Sequence, residues 1–199
     1  SFLAVLVGTA AAGVISTFRQ AKRAERRFQQ VRSLANTFVF DVHDSIVDLP
    51  GSTEARKRIV STALTYLESL RDDAADDPEL ARELAAAYQK VGSVQGLPVS
   101  TNLGDTAGAL DSYANAVRIL QPLVARGDQK AEFHLAKVLH LDALVRRARG
   151  DRQDALAAFD RAWRAAQQLL QRRDHEPAVL ELAGSVASDH ARASFERRD

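Results

Sequence analysis

The chain has 199 residues, 46% of them hydrophobic and 27% charged, a composition typical of a folded protein of one or two domains. Its formal net charge of +1 provides no global field that would attract nucleic acid, so no nucleic-acid partner is expected. The lack of Cys excludes disulfides and thiolate metal sites. Long alternating runs of β-branched residues are missing, so the sequence predicts an all-α protein.

The first 18 residues, SFLAVLVGTAAAGVISTF, carry no charge, and a basic stretch begins directly after them at Arg19. Such a run reaches the lower limit for a membrane-spanning helix and would cover about 27 Å. A signal peptide cleaved near Ala10–Ala12 and a buried helix of a soluble domain are the alternatives. The length and the charge contrast favour a transmembrane helix at 1–18, truncated at its start.

Residues 19–50 predict a juxtamembrane amphipathic helix. Apolar side chains recur there in three- and four-residue steps from Phe28 onwards, and the helix is expected to leave the membrane and dock on the domain that follows. A dimeric coiled coil is the alternative for this segment, so a homodimer stays open. Leu49-Pro50-Gly51-Ser52 ends the segment, with Ser52 as the expected cap of the next helix.

Within that helix His43 lies close in sequence to Asp41 and Asp44, which suggests a metal cluster at first sight. At 100° per residue the three side chains of a straight helix point in different directions and cannot reach one ion. A solvated acidic face is the better interpretation, and no metal or other cofactor is expected in this chain.

Residues 51–199 carry a repeated helical pattern. The stretch 81–122 contains Ala81-x-x-Leu84-Ala85-x-x-Tyr88 and follows the tetratricopeptide (TPR) pattern. Its second part, Gly104-Asp105-x-x-x-Ala109-Leu110-x-x-Tyr113-x-x-Ala116, recurs with identical spacing from Gly150 to Ala162. The residues predicted to form the repeat core are Leu84, Tyr88, Ala109, Tyr113, Ala116, Ala155, Phe159 and Ala162. We therefore predict antiparallel helical hairpins in a TPR-like right-handed solenoid.

The pattern departs from a standard repeat in two ways. The two Gly-Asp pairs lie 46 residues apart instead of about 34, which indicates an insertion at Ser93–Gly104 that packs beside the first repeat. Asp142 and Arg146 stand where the first repeat has Leu84 and Tyr88. The last repeat, which begins at Pro177, lacks its second helix, so its apolar residues, Leu180, Leu182, Ala183 and Val186, are expected to be partly uncovered.

A basic stripe is the candidate binding site. Lys130, His134 and Lys137 recur at helical spacing on the first helix of the second repeat, and Lys90 lies on the first helix of the preceding one. In TPR solenoids these helices line the concave face, where cations can hold an acidic peptide or a terminal carboxylate. An ordinary solvated face is the alternative interpretation. Motifs for a catalytic triad, a phosphate loop or kinase catalysis are missing, so no catalytic residue is predicted.

Several segments of the chain resemble one known family. They are Ala24–Ser52, with its His43-Asp44 pair and its Leu49-Pro50-Gly51-Ser52 ending, together with Val94–Gly96 and Asn102–Asp105. They are similar to the C-terminal region of bacterial membrane-anchored serine/threonine protein kinases with tetratricopeptide repeats. In that family a cytoplasmic kinase domain precedes one membrane span and a C-terminal repeat domain.

The resemblance implies a non-catalytic interaction or sensor segment whose ATP-dependent kinase domain lies upstream. It implies a single-pass protein of the inner (cytoplasmic) membrane with its repeats outside the cytoplasm. The basic flank after Phe18 favours the opposite orientation under the positive-inside rule. The alternative function is a membrane-tethered TPR scaffold or assembly factor with no kinase attached. In either case the expected partners are a protein or peptide and, through residues 1–18, the membrane.

The uncharged run at 1–18 generates the first testable prediction. The chain should sediment with membranes and resist extraction by alkaline carbonate, because a span of this length is held by its apolar surface. A variant with Leu6 and Val7 replaced by Lys is the matched control and should be released. Recovery of the unaltered chain in the soluble fraction would contradict the prediction.

Overall fold

The computed structural model describes residues 52–173 and 176–196, all within one compact unit, Val47–Asp199. The helices of this part are α1 (Thr53–Ser69), α2 (Arg71–Ala74), α3 (Pro78–Gly96), α4 (Thr106–Ala125), α5 (Gln129–Arg149), α6 (Arg152–Arg173) and α7 (Pro177–Glu196). The described part contains no strand, which confirms the all-α prediction. None of these seven helices combines the length and apolar character that a membrane crossing requires. The predicted segments 1–18 and 19–50 lie outside the described residues.

Aspartates fix the starts of three helices. Asp77, Asp105 and Asp128 precede α3, α4 and α5, and their carboxylates accept hydrogen bonds of 2.9–3.1 Å from N–H groups of the first turn. Gly150 ends α5 with a φ of 83°, a left-handed conformation that glycine adopts without strain. Ser52 precedes α1 as expected, but its side chain makes no capping hydrogen bond.

Two glycines bring α3 and α4 close together. A Cβ atom on Gly92 would lie 2.7 Å from the ring of Tyr113, and one on Gly96 would lie 2.8 Å from the Cα of Thr106. Higher residue numbers on α3 therefore face lower numbers on α4, and the two helices are antiparallel. Any larger residue at these positions would push the pair apart.

The helices α5 and α6 form a second antiparallel pair. Glu132 near the start of α5 accepts from Arg172 near the end of α6 at 3.0 Å, while Asp142 lies 3.6 Å from Arg161 in the middle. Helix α5 also packs against α3 and against α7. Arg82 near the start of α3 donates to Asp128 just before α5, so α3 and α5 are parallel. Leu169 near the end of α6 packs with Val179 near the start of α7, so α7 is antiparallel to α6 and parallel to α5.

The residues predicted to form the repeat core are all buried, from Leu84 to Ala162, and none is more than 2% exposed. The polar replacements in the second hairpin are accommodated as an ion pair. The Nε of Arg146 donates to Oδ2 of Asp142 at 2.7 Å, and the Nη2 of Arg146 donates to Oδ1 of Asp142 at 3.1 Å. Since Asp142 is buried, this two-point contact satisfies a carboxylate that would otherwise be costly inside the fold.

The predicted insertion contacts both hairpins and not only the first repeat. Helix α3 continues to Gly96, and backbone hydrogen bonds to Val94 and Gln95 hold the following loop beside the first hairpin. Leu97, however, is buried in a cluster with Phe159 and other residues of α5, α6 and α7. The loop thus bridges the two hairpins: its backbone is bonded to α3, and Leu97 packs on the second hairpin.

Helix α7 is covered on one side only. Leu180 is 50% exposed, as predicted. Ala183 and Val186 are buried against Ala162 and Ala166, so the expectation that they would be partly uncovered was wrong. Helix α6 covers most of this face of α7, and Leu139 of α5 packs at its edge.

The bridging role of Leu97 can be tested within its own loop. Leu97→Ala should lower the free energy of unfolding by about 2–5 kcal/mol, because it leaves a cavity in a shared cluster. Val99→Ala is the matched control: Val99 is 72% exposed, so its loss should change stability by less than about 0.5 kcal/mol. Urea denaturation followed by circular dichroism measures both. Equal effects of the two substitutions would contradict the bridge.

Candidate functional site

An open groove runs between α3 and α5, the first helices of the two hairpins. Its volume is about 310 Å³, and its described lining residues are Glu79, Arg82, Glu83, Ala86, Lys130, Phe133 and His134. The members on α3 recur at three- and four-residue spacing and form one face of that helix. Two of the four predicted binding residues, Lys130 and His134, therefore lie in this groove.

An ion pair joins the two walls of the groove. Arg82 of α3 donates to the carboxylate of Asp128, which also caps α5 through the N–H groups of Lys130 and Ala131. Burial acts to raise the pKa of Asp128, but the hydrogen bonds from the Ala131 N–H and from Arg82 outweigh it and the pKa lies below its ordinary value. The carboxylate is ionised at neutral pH and fixes α5 against α3.

His134 is the residue of the groove with unused hydrogen-bonding capacity. Its Nδ1 atom is buried and has no hydrogen-bond partner among the described residues. Burial, together with the charges of Lys137 and Arg82, lowers the pKa of His134 below its ordinary value. The imidazole is therefore neutral at neutral pH and can donate or accept one hydrogen bond.

The other two predicted residues lie just beyond the groove. Lys137 is exposed one turn after His134, and Lys90 is exposed one turn after Ala86. Because α3 and α5 are parallel, Lys90 and Lys137 stand at a similar height on the two helices. The structure thus brings all four predicted residues to one side of the α3–α5 pair, but only two of them line the groove.

The sequence interpretation missed the part of the groove that α3 contributes. Glu79 and Glu83 stand beside Arg82, so the groove is of mixed charge and not uniformly basic. The sequence does contain a signal for the α3 residues of the groove, in their spacing along the helix. Glu79, Arg82, Glu83 and Ala86 share the face of α3 opposite the predicted core residue Leu84, and such a face is open to a neighbour or a ligand.

Two histidines outside the groove pair with aspartates of other helices. Nε2 of His140 lies 3.0 Å from the carboxylate of Asp189, and Nε2 of His190 lies 2.7 Å from Asp160. These partners are 49 and 30 residues away in sequence, so no local pattern marks them. The two pairs tie α7 to α5 and α6.

Comparison of the chain with protein-family models, curated proteins and solved structures gives no significant match. The function has to be argued from the chemistry of the groove itself. Over the part of the chain that the structure describes, no group of three His, Asp or Glu side chains could hold a metal ion. The sequence candidates His43, Asp41 and Asp44 lie outside that part.

The lowered pKa of His134 makes the stability of the fold depend on pH. Between the folded pKa and the unfolded value of about 6.5, the unfolded chain binds more protons than the folded chain. The free energy of unfolding should therefore decrease as the pH falls through this window. His134→Gln removes the contribution of this imidazole. The free energy of unfolding of the variant minus that of the wild type should therefore be larger at pH 5.5 than at pH 7.5.

Urea denaturation of both proteins at the two pH values gives this difference. All other titratable groups are the same in both proteins, so the difference reports on His134. A stability difference that is the same at both pH values, or that moves in favour of the wild type at pH 5.5, would contradict the assignment.

Proposed function

We propose that this chain is a non-catalytic protein-interaction segment of a membrane-anchored signalling protein and that it binds a peptide along the α3–α5 groove. The observation that carries the proposal is the groove itself. Lys130 and His134 of one hairpin face Arg82 of the preceding one across an open channel. A groove between repeated helices gives an extended surface, which suits a peptide better than a compact small molecule.

We further propose that the helices form a TPR-like right-handed solenoid. Two features support this: the spacing of Ala81, Leu84, Ala85 and Tyr88 in the buried face of α3, and the parallel packing of α3, α5 and α7. In TPR solenoids such first helices line the concave face. The groove would then be one section of that face.

The charges of the groove indicate the chemistry of the peptide. Neither Lys130 nor Lys137 forms an ion pair within the described residues. An acidic side chain or a terminal carboxylate would gain charge-assisted hydrogen bonds there, roughly 1.5–3 kcal/mol each before ordering costs. Phe133 offers apolar surface for a neighbouring side chain. Glu79 and Lys130 both lie in the first turn of their parallel helices, so Glu79 would repel an acid at that end and favour one bound nearer to Lys137. The groove would thus orient the peptide.

The signalling role rests on the resemblance to membrane-anchored serine/threonine kinases. We propose a single-pass inner-membrane protein that carries this segment outside the cytoplasm and an ATP-dependent kinase domain on the other side. Binding at the groove would then report an extracytoplasmic protein or peptide. The coding sequence upstream of Ser1 tests this directly: a kinase domain supports it, and a different upstream domain overturns it in favour of a scaffold.

Charge reversal tests the groove. Acidic peptides with a free C-terminus, selected from a random displayed library and labelled with fluorescein, should bind the wild-type chain. The Lys130→Glu/Lys137→Glu variant should bind them at least about tenfold more weakly, because two cations become repulsive. Fluorescence anisotropy measures the affinity, and circular dichroism checks the helix content.

The matched control is Arg164→Glu, which reverses an exposed charge on α6. It should leave the affinity unchanged. Equal affinities of the wild type and the double variant, at unchanged helicity, would show that the peptide does not bind in this groove.

A further inference from the structure

A second pocket lies where α2, α3 and α4 meet. Its volume is about 210 Å³, and Ala81, Leu84 and Pro122 contribute to an apolar floor. Ala81 and Leu84 lie on the side of α3 roughly opposite the groove residues, at 100° per residue. This pocket is therefore separate from the α3–α5 groove.

Three arginines surround this apolar floor. Arg71 comes from α2, Arg118 from the fourth turn of α4, and Arg126 is the residue that follows α4. The described residues that line the pocket include no carboxylate. A pocket that combines an apolar floor with three guanidinium groups differs from an ordinary solvated surface, where charges of both signs are mixed.

The partners of the three arginines leave an excess of positive charge. Arg71 pairs with Glu68 at 2.6 Å, so its charge is compensated. Arg118 donates to the neutral side-chain oxygen of Asn115 at 2.7 Å. Arg126 forms no ion pair with any described residue. Two guanidinium groups at the pocket are thus without an anionic partner.

A structural role explains only part of this arrangement. A cation at the end of α4 is stabilised by the partial negative charge of the helix C-terminus, which accounts for Arg126. It does not account for Arg118, which stands two turns earlier, outside the reach of that effect. Nor does it explain why both side chains border the same apolar floor.

We propose that this pocket binds an amphipathic anion, a carboxylate or phosphate group joined to a short apolar chain. Arg118 and Arg126 hold the anion, because guanidinium groups match the geometry of both oxyanions in two-point hydrogen bonds. The apolar chain lies on Ala81, Leu84 and Pro122. The volume is smaller than that of sites for drug-sized ligands, about 300–1,000 Å³, so the chain is short.

Photo-labelling of the full chain tests the proposal. The probe is an eight-carbon fatty acid with a terminal diazirine, and mass spectrometry locates the label. The label should fall in residues 71–84 or 118–126, and excess octanoate should displace it. Octyl phosphate is the second competitor, and its strength relative to octanoate tells a phosphate ligand from a carboxylate. Octanol, which lacks the charge, and acetate, which lacks the chain, should each compete at least about tenfold more weakly.

Two sets of variants make the test specific. Arg118→Gln/Arg126→Gln should weaken labelling at least about tenfold, whereas Arg164→Gln, which removes an exposed charge on α6, should leave it unchanged. Ala75→Phe keeps the arginines and fills the pocket from an exposed position, and it should abolish labelling. Lys130→Glu/Lys137→Glu should label like the wild type, so the proposal does not depend on the groove.

Three results would overturn the proposal. Equal competition by octanol and octanoate would indicate a purely apolar site. Equal competition by acetate and octanoate would indicate that the arginines attract any anion and that the apolar chain plays no part. Full labelling of the Ala75→Phe variant, or a label outside the two named segments, would locate the binding elsewhere.

Discussion

The close approach of α3 to α4 is the constraint on which the rest of the structure depends. Gly92 and Gly96 leave no room for a side chain against α4, and Ala109 and Ala116 present only methyl groups from the other side. The axes can then lie close enough for the large ring of Tyr113 to fill the interface. Leu97, the residue directly after Gly96, packs on the second hairpin and so links the two hairpins.

The second hairpin is held by different chemistry. Asp142 replaces an apolar residue in its interior and is satisfied by Arg146, with Arg161 nearby, while Glu132 pairs with Arg172 further along. Buried ion pairs of this kind contribute little net stability, but breaking one of them is costly. The Asp142–Arg146 pair lies within α5, whereas Arg161 and Arg172 reach across from exposed positions on α6 and supplement the apolar contacts of the hairpin.

The groove and the arginine pocket are consequences of how α3 divides its surface. One face carries Leu84 and Tyr88 and packs on neighbouring helices, and the arginine pocket lies at the edge of that face. The opposite face carries Arg82 and Ala86 and contacts α5 through the ion pair of Arg82 with Asp128. A sparse contact between parallel helices leaves a channel, whereas the dense antiparallel contacts do not.

The sequence by itself determined the helices of the described part and most of their core. Helix starts are local events, fixed by aspartate caps and by Pro78, and spacings such as that from Ala109 to Ala116 follow the helical period. It also identified Lys130 and His134 as residues of one face. Only the tertiary structure decided which residues of other helices face Lys130 and His134. The partners Arg82, Asp189 and Asp160 come from distant parts of the chain, because contacts between helices depend on how the hairpins pack and leave no local periodic signal.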